Sequence, residues 1–208
     1  MGVFDRFSNS KYRRIGENLA SYAFSMCTHD QINTLLSDCS FSATEKTRFK
    51  FDFFIANLVV ATHAVNLVMN DREKAEKIIE PMFLKLDEHF EKIIIGDIRI
   101  GDFIANDNEW KFLRHNHQID NPDMRTNCNT MLDLIYNYRR QRYFEALFEG
   151  FERFMEEQNM LGPMSSLVQL FVQNFPSSEE NTNHLIVTLC LILVTTHNSM
   201  MEYCQKNT

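Results

Sequence analysis

Six glycines and four prolines are spread through 208 residues. Each turn of a sandwich or barrel, and each loop of a doubly wound sheet, draws on glycine for positive φ and on proline for a fixed φ. So sparse a supply confines the chain to long helices joined by short connections. Apolar residues make up 44% and charged residues 24%, a balance ordinary for a globular protein. At this length one hydrophobic core suffices. The expectation is a single all-α domain over residues 1–208, a helical bundle of about six to eight helices, with residues 1–10 as a loose lead-in.

Periodicity and capping residues place the helices. A first helix is predicted over Lys11–Cys27 and a short second one over Asp30–Leu36. Ser42-Ala43-Thr44-Glu45 fits a capping box, in which the serine accepts from a backbone N–H and the glutamate reaches back. The helix it opens runs to about Asn70 and is apolar on most sides through Phe49, Phe51, Phe53, Phe54, Ile55, Leu58, Val59 and Val60, which marks a buried helix. Its polar exceptions, Asp52, His63, Asn66 and Asn70, fall on a stripe, and His63 there reads as solvent-facing. Asp71 opens a helix that holds Pro81, where a kink or break is expected. Ile93–Asp102 is the one strand-like stretch, and no partner strand suggests itself. A helix over about Phe103–Arg114 is followed by His115–Asp123, read as a long surface loop, and then by a long helix from about Met124 to Gln158. Pro163 is placed to start a short helix. A second capping box, Ser177 to Glu180, opens the last helix, which runs to about Cys204. This helix and the Phe-rich one are expected at the centre. Eighteen phenylalanines and 11 methionines are enough to fill the space between them.

Charge and cysteine usage remove several classes of function. The net charge is −7, and binding nucleic acid needs clustered Lys and Arg, so no nucleic-acid partner is expected. Cys27, Cys39, Cys128, Cys190 and Cys204 are odd in number and scattered, with no CxxC pair. That argues against a disulfide framework or a cysteine zinc site and points to a cytoplasmic protein. No secretory signal is visible at the N-terminus, and Arg6 stands where a myristoylation signal wants Ser or Thr. The longest apolar run, Leu185–Val194, is interrupted by Thr188 and shorter than the ~20 residues a bilayer requires, so no transmembrane segment is expected.

No phosphate-binding, nucleophile-elbow, zincin or EF-hand signature occurs. No cofactor and no catalytic residue is therefore assigned. The densest group of candidate metal ligands is His115, His117, Asp120 and Asp123. Alternate residues of an extended loop can aim two imidazoles at one ion while a carboxylate completes the set. A polar surface loop explains the same residues. Arg139, Arg140 and Arg142, beside Tyr138 and Tyr143, form the one aromatic-basic cluster. Guanidinium forks suit a carboxylate, a phosphate or an acidic partner, and a solvated helix face is the plainer reading. His197 shares a face with Cys190 and Leu193, which makes it a buried polar group in need of a partner. Leu58–His63 echoes Ile192–His197 in sequence, by chance or as a pseudo-symmetric pair of core helices.

The segment from Arg48 to Asp97 resembles the ubiquinol-cytochrome c chaperone family at Arg48-Phe49, Met82-Phe83, Leu86-Asp87 and Gly96-Asp97. The resemblance implies a helical fold and a role in assembling a respiratory complex. It stops at Ile98, where the family's basic run is replaced, so no site residue is carried over and the chain is not assigned to that family. With every long segment explained by packing, the expectation is a non-enzymatic helical interaction or assembly protein, with a protein partner or self-association. The alternatives are a small-molecule or lipid binder with a Phe/Met-lined cavity, and a metal-dependent enzyme built on the His115 group.

Overall fold

Ser42 Oγ accepts from Glu45 N at 3.2 Å, and Glu45 Oε2 accepts from Ser42 N at 2.8 Å, so the capping box forms as its four residues dictate. The helix it starts, α3 (Ala43–Met69), ends at Asn70 in the left-handed conformation, φ 42°. The computed structural model describes residues 3–39, 41–84, 86–94, 98–104, 106–157, 162–175 and 179–208. Around α3 it places α1 (Val3–Cys27), α2 (Asp30–Asp38), α4 (Arg72–Leu84), α5 (Leu86–Ile93), α6 (Ile100–Phe103), α7 (Asp107–His117), α8 (Cys128–Met131), a π-helical turn (Leu132–Tyr136), α9 (Asn137–Glu157), α10 (Ser165–Val172) and α11 (Glu179–Asn207). The fold is an all-α bundle.

The buried apolar side chains form one cluster, centred on α3. Phe49, Phe51, Phe53 and Phe54 are all buried, which spreads phenylalanine around more than half of this helix. It packs against α1, α4, α9 and α11. The α1 and α11 helices run antiparallel: Lys11 Nζ meets the Thr208 carbonyl at 2.9 Å, and Asn18 Nδ2 meets Tyr203 Oη at 2.6 Å. The last helix buries Leu185, Leu189, Cys190, Leu193, His197, Met200 and Cys204 and turns its other face outward.

Several local expectations change. Helix α1 starts at Val3 rather than Lys11, since nothing between those positions breaks a helix. Helix α4 continues through Pro81. The strand-like stretch does find a partner: Ile98–Arg99 pairs antiparallel with Arg125–Thr126. That pairing takes the start of the expected Met124–Gln158 helix away. Asn127 Oδ1 then accepts from Thr130 N at 3.1 Å and caps α8, and the π-helical turn follows before α9. The α7 helix starts later and ends later than expected, because Asn106 Oδ1 accepts from both Asn108 N and Glu109 N. The Ser177–Glu180 capping box lies outside the described residues.

Among the described residues, two helices are long and apolar enough to cross a membrane by length and composition. In Ala43–Met69 the most apolar stretch has a mean hydropathy of 1.6 and is 78% buried; in Thr182–Asn207 it has 1.4 and is 39% buried. The run Leu185–Val194 is thus part of a longer apolar helix than the run alone suggested. Burial inside the bundle accounts for the composition of α3, while α11 leaves apolar surface uncovered.

Candidate functional site

Three arrangements of polar side chains stand out, and only one is open to a ligand. The first is a buried charge cluster. Asp52, a carboxylate on the buried helix α3, faces Arg139 of α9. Arg139 also forks onto Glu109 of α7, Nε to Oε1 at 2.7 Å and Nη2 to Oε2 at 2.8 Å, and donates to the Phe103 carbonyl at the end of α6. All three charged side chains are buried. Burial pushes Arg139 towards its neutral form, but Asp52 and Glu109 outweigh it and its pKa rises. Burial also raises Asp52, to about 6, against the pull of Arg139. Two carboxylates share one guanidinium, and Asp52 Oδ2 has no hydrogen-bond partner among the described residues. Nearby, Arg48 Nη2 donates to the Asn174 carbonyl at 2.9 Å, and Asn174 Nδ2 lies 3.4 Å from Tyr143 Oη. The cavity bordering this cluster is about 20 Å³, room for about one water. The cluster ties α3, α6, α7 and α9 together and has no space for a substrate.

The second is a histidine pair. His63 Nδ1 lies 3.1 Å from His197 Nε2. His63 is therefore buried rather than solvent-facing: its ring meets His197 of α11. Phe151 packs on the His63 ring at 4.3 Å between centroids, and Phe148 meets it edge-on. Burial lowers the pKa of His63 to about 4, with the His197 charge acting in the same direction, and burial lowers His197 too. The two histidines, which end the echoed segments Leu58–His63 and Ile192–His197, meet in the fold.

The other sequence candidates disperse. His115 and His117 belong to α7, where side chains two residues apart point to nearly opposite sides. The extended-loop geometry that would join them does not exist. His117 packs edge-on against Phe112, and Asp123 lies 3.7 Å from Arg99. Asp120 is exposed. Among the described residues no group of three or more His, Cys, Asp or Glu side chains is placed to hold a metal ion. The arginine cluster splits for a similar reason, since each residue turns ~100° around a helix. Arg139 turns into the core, Arg140 lies over the rings of Phe83 and Tyr136, and Arg142 donates to Tyr138 Oη at 3.0 Å. Only Arg140 and Arg142 remain available to an outside anion.

The third arrangement is a groove of about 620 Å³ between α1, α2 and α11. Tyr22, Met26, Leu35, Leu191 and Ile192 give it an apolar lining. Asp30, Thr34 and Asp38 form one edge on α2, at i, i+4 and i+8. His184, Thr188, Leu191 and Thr195 form the other on α11. Thr196 also lines it, and its buried Oγ1 has no hydrogen-bond partner among the described residues. Leu191 is 65% exposed and Val187, one turn away, is 47% exposed. A second depression of about 410 Å³ adjoins across Tyr22, lined by Leu19, Met200 and Tyr203. Sequence periodicity missed this face because α11 is apolar around most of its circumference. Comparison with family models, with curated proteins and with solved structures finds no match for this chain.

Proposed function

We propose that this is a non-enzymatic helical interaction or assembly protein, and that the groove between α1, α2 and α11 receives a basic amphipathic helix from a partner protein. The observation that carries the reading is the exposure of Leu191 and Val187 beside that groove. Large apolar side chains that adjoin an apolar groove form a contiguous patch of the kind that marks an interaction site. An amphipathic helix is the natural occupant of such a groove, laying anchors at i, i+3/i+4 and i+7 along it. The α11 edge from His184 to Thr195 spans about 16 Å, or three helical turns. Charge selects the partner: Asp30 and Asp38 line the rim, no Lys or Arg does, and the whole chain carries −7. Their backbone positions are about 12 Å apart along α2, which matches Lys or Arg residues two turns apart on the incoming helix. The free thiols of Cys27, Cys39, Cys190 and Cys204 are compatible with a reducing compartment such as the cytoplasm.

The test is site-specific photo-crosslinking in native cells, with the crosslinker at position 191 or, as control, at the exposed position 72. Position 191 should give one discrete protein adduct that is absent from position 72. Asp30→Lys with Asp38→Lys should abolish it, and Leu191→Glu should weaken the purified complex about tenfold or more. Adducts that do not depend on crosslinker position, with the purified chain an inert monomer, would remove the reading.

A further inference from the structure

A separate cleft, bordered by α3, is not used by the partner-helix reading. It encloses about 640 Å³ between α3 (Val59, Thr62), α4 (Ile79, Phe83) and α9 (Asn137, Arg140, Gln141, Phe144, Glu145). The geometry points to a binding site for a small amphiphilic anion, an apolar body ending in a carboxylate that pairs with Arg140.

Two features carry the assignment together. The volume is in the ~300–1,000 Å³ range of small-molecule sites, and the pattern of apolar walls with a few convergent polar groups is theirs as well. Val59, Ile79, Phe83 and Phe144 supply the walls. The polar group at the edge is a guanidinium already held in orientation: Arg140 lies 5.1 Å from the centroid of the Phe83 ring and 5.6 Å from that of Tyr136. Among the described residues no carboxylate stands within salt-bridge distance of it. This distinguishes Arg140 from Arg139, whose charge is met by Asp52 and Glu109.

The chemistry of the ligand follows from what each part of the cleft would lose with another occupant. A purely apolar ligand would cover Arg140 and leave its N–H groups without acceptors. A small hydrophilic anion would gain nothing from the four apolar walls. A carboxylate matches the planar fork of arginine with two parallel hydrogen bonds, and its chain covers the walls. Glu145 is the opposing charge at the cleft. Its Oε1 accepts from Gln141 Nε2 at 3.0 Å, and it weakens an anion in the site without occupying Arg140.

Isothermal titration of the intact protein with decanoate, below the concentration at which it forms micelles, tests the assignment. Decanol serves as the uncharged comparison. Methyl NMR spectra of the same titration report on Val59 and Ile79, so the wild-type protein is informative by itself. Decanoate should bind with one-to-one stoichiometry, shift those methyl signals, and bind at least tenfold more tightly than decanol. Arg140→Gln should weaken decanoate at least tenfold and leave decanol unchanged. Arg142→Gln should leave both unchanged, and Glu145→Gln should tighten decanoate. No saturable binding, shifts confined to residues outside the cleft, or equal affinity for decanoate and decanol would each overturn the site. So would decanoate binding that is indifferent to Arg140→Gln. None of these outcomes bears on the groove at Leu191, which shares no residue with the cleft.

Discussion

Asp52 sits where a phenylalanine or leucine would be expected, and its surroundings decide its charge. Its ordinary pKa of 3.8 rises to about 6, burial being the largest cause and the nearby Glu109 carboxylate adding to it. Arg139 opposes the shift but is shared by both carboxylates. Between these two values the folded protein holds a proton that the unfolded chain releases. Stability from this group is therefore complete below about pH 4 and is lost as pH rises through about 6. The histidine pair has the opposite sign. His63 falls from 6.5 to about 4 in the folded state, so the unfolded chain binds the proton first. Its contribution is present above 6.5 and is lost as pH falls towards 4. The two effects oppose one another across the same window, and the total pH profile hides both. Asp52→Asn isolates the first, because asparagine cannot ionise. Urea unfolding from pH 4 to 7 should show the variant gaining on the wild type by about 1.4 kcal/mol for each pH unit between about 4 and 6. A flat difference curve would mean that Asp52 is ionised throughout.

At the scale of elements, α1 and α4 approach each other closely at Gly16. A Cβ built on Gly16 would stand 2.1 Å from the Ile78 carbonyl oxygen and 3.0 Å from the Met82 nitrogen. Glycine inside a helix ordinarily costs about 0.5–1 kcal/mol relative to alanine, so Gly16→Ala gains that much locally. The clash is with backbone, which cannot rotate away, and the two helices must separate along a shared buried face. Gly16→Ala should therefore destabilise the protein by about 1–3 kcal/mol, read as a lower urea midpoint at unchanged slope. A stabilised variant would mean that α1 packs less closely on α4. Elements set by local chemistry were legible in the sequence: the Ser42–Glu45 box, the apolar sides of α3, and the helical class implied by scarce glycine and proline. Elements set by distant contacts were not. Arg125–Thr126 leaves the helix pattern because Ile98–Arg99 needs a ladder partner, and Asn106 and Asn127 cap helices that periodicity alone placed elsewhere. At the candidate sites, Asp52 and Arg139 meet across 87 residues of chain. The one available signal was a lone carboxylate in an apolar helix, which demands a buried counter-charge. Neither the groove nor the cleft could be read in advance, since each is a space between helices.

For the molecule as a whole, the exposed apolar face of α11 has two physical uses, a partner helix or a membrane surface, and the charge distribution separates them. Anionic lipid attracts basic surface; here Asp30 and Asp38 stand beside the apolar lining, and the chain carries −7. A neutral bilayer meets no such repulsion, but insertion of α11 would require it to leave α3. That would expose Leu185, Leu189 and Leu193 and break the His63–His197 contact. Lying on the surface, the helix offers the bilayer Leu191 and Val187 as its large exposed apolar side chains, with Tyr22 of α1 beside them, much less than the broad apolar face that anchors an interfacial helix. Flotation of the purified protein with neutral vesicles, and with vesicles containing phosphatidylserine, should leave it in the aqueous fraction in both cases. If instead it floats with neutral vesicles and Leu191→Glu releases it, the face is a lipid contact, and the acidic rim would then repel phosphatidylserine rather than select a basic helix.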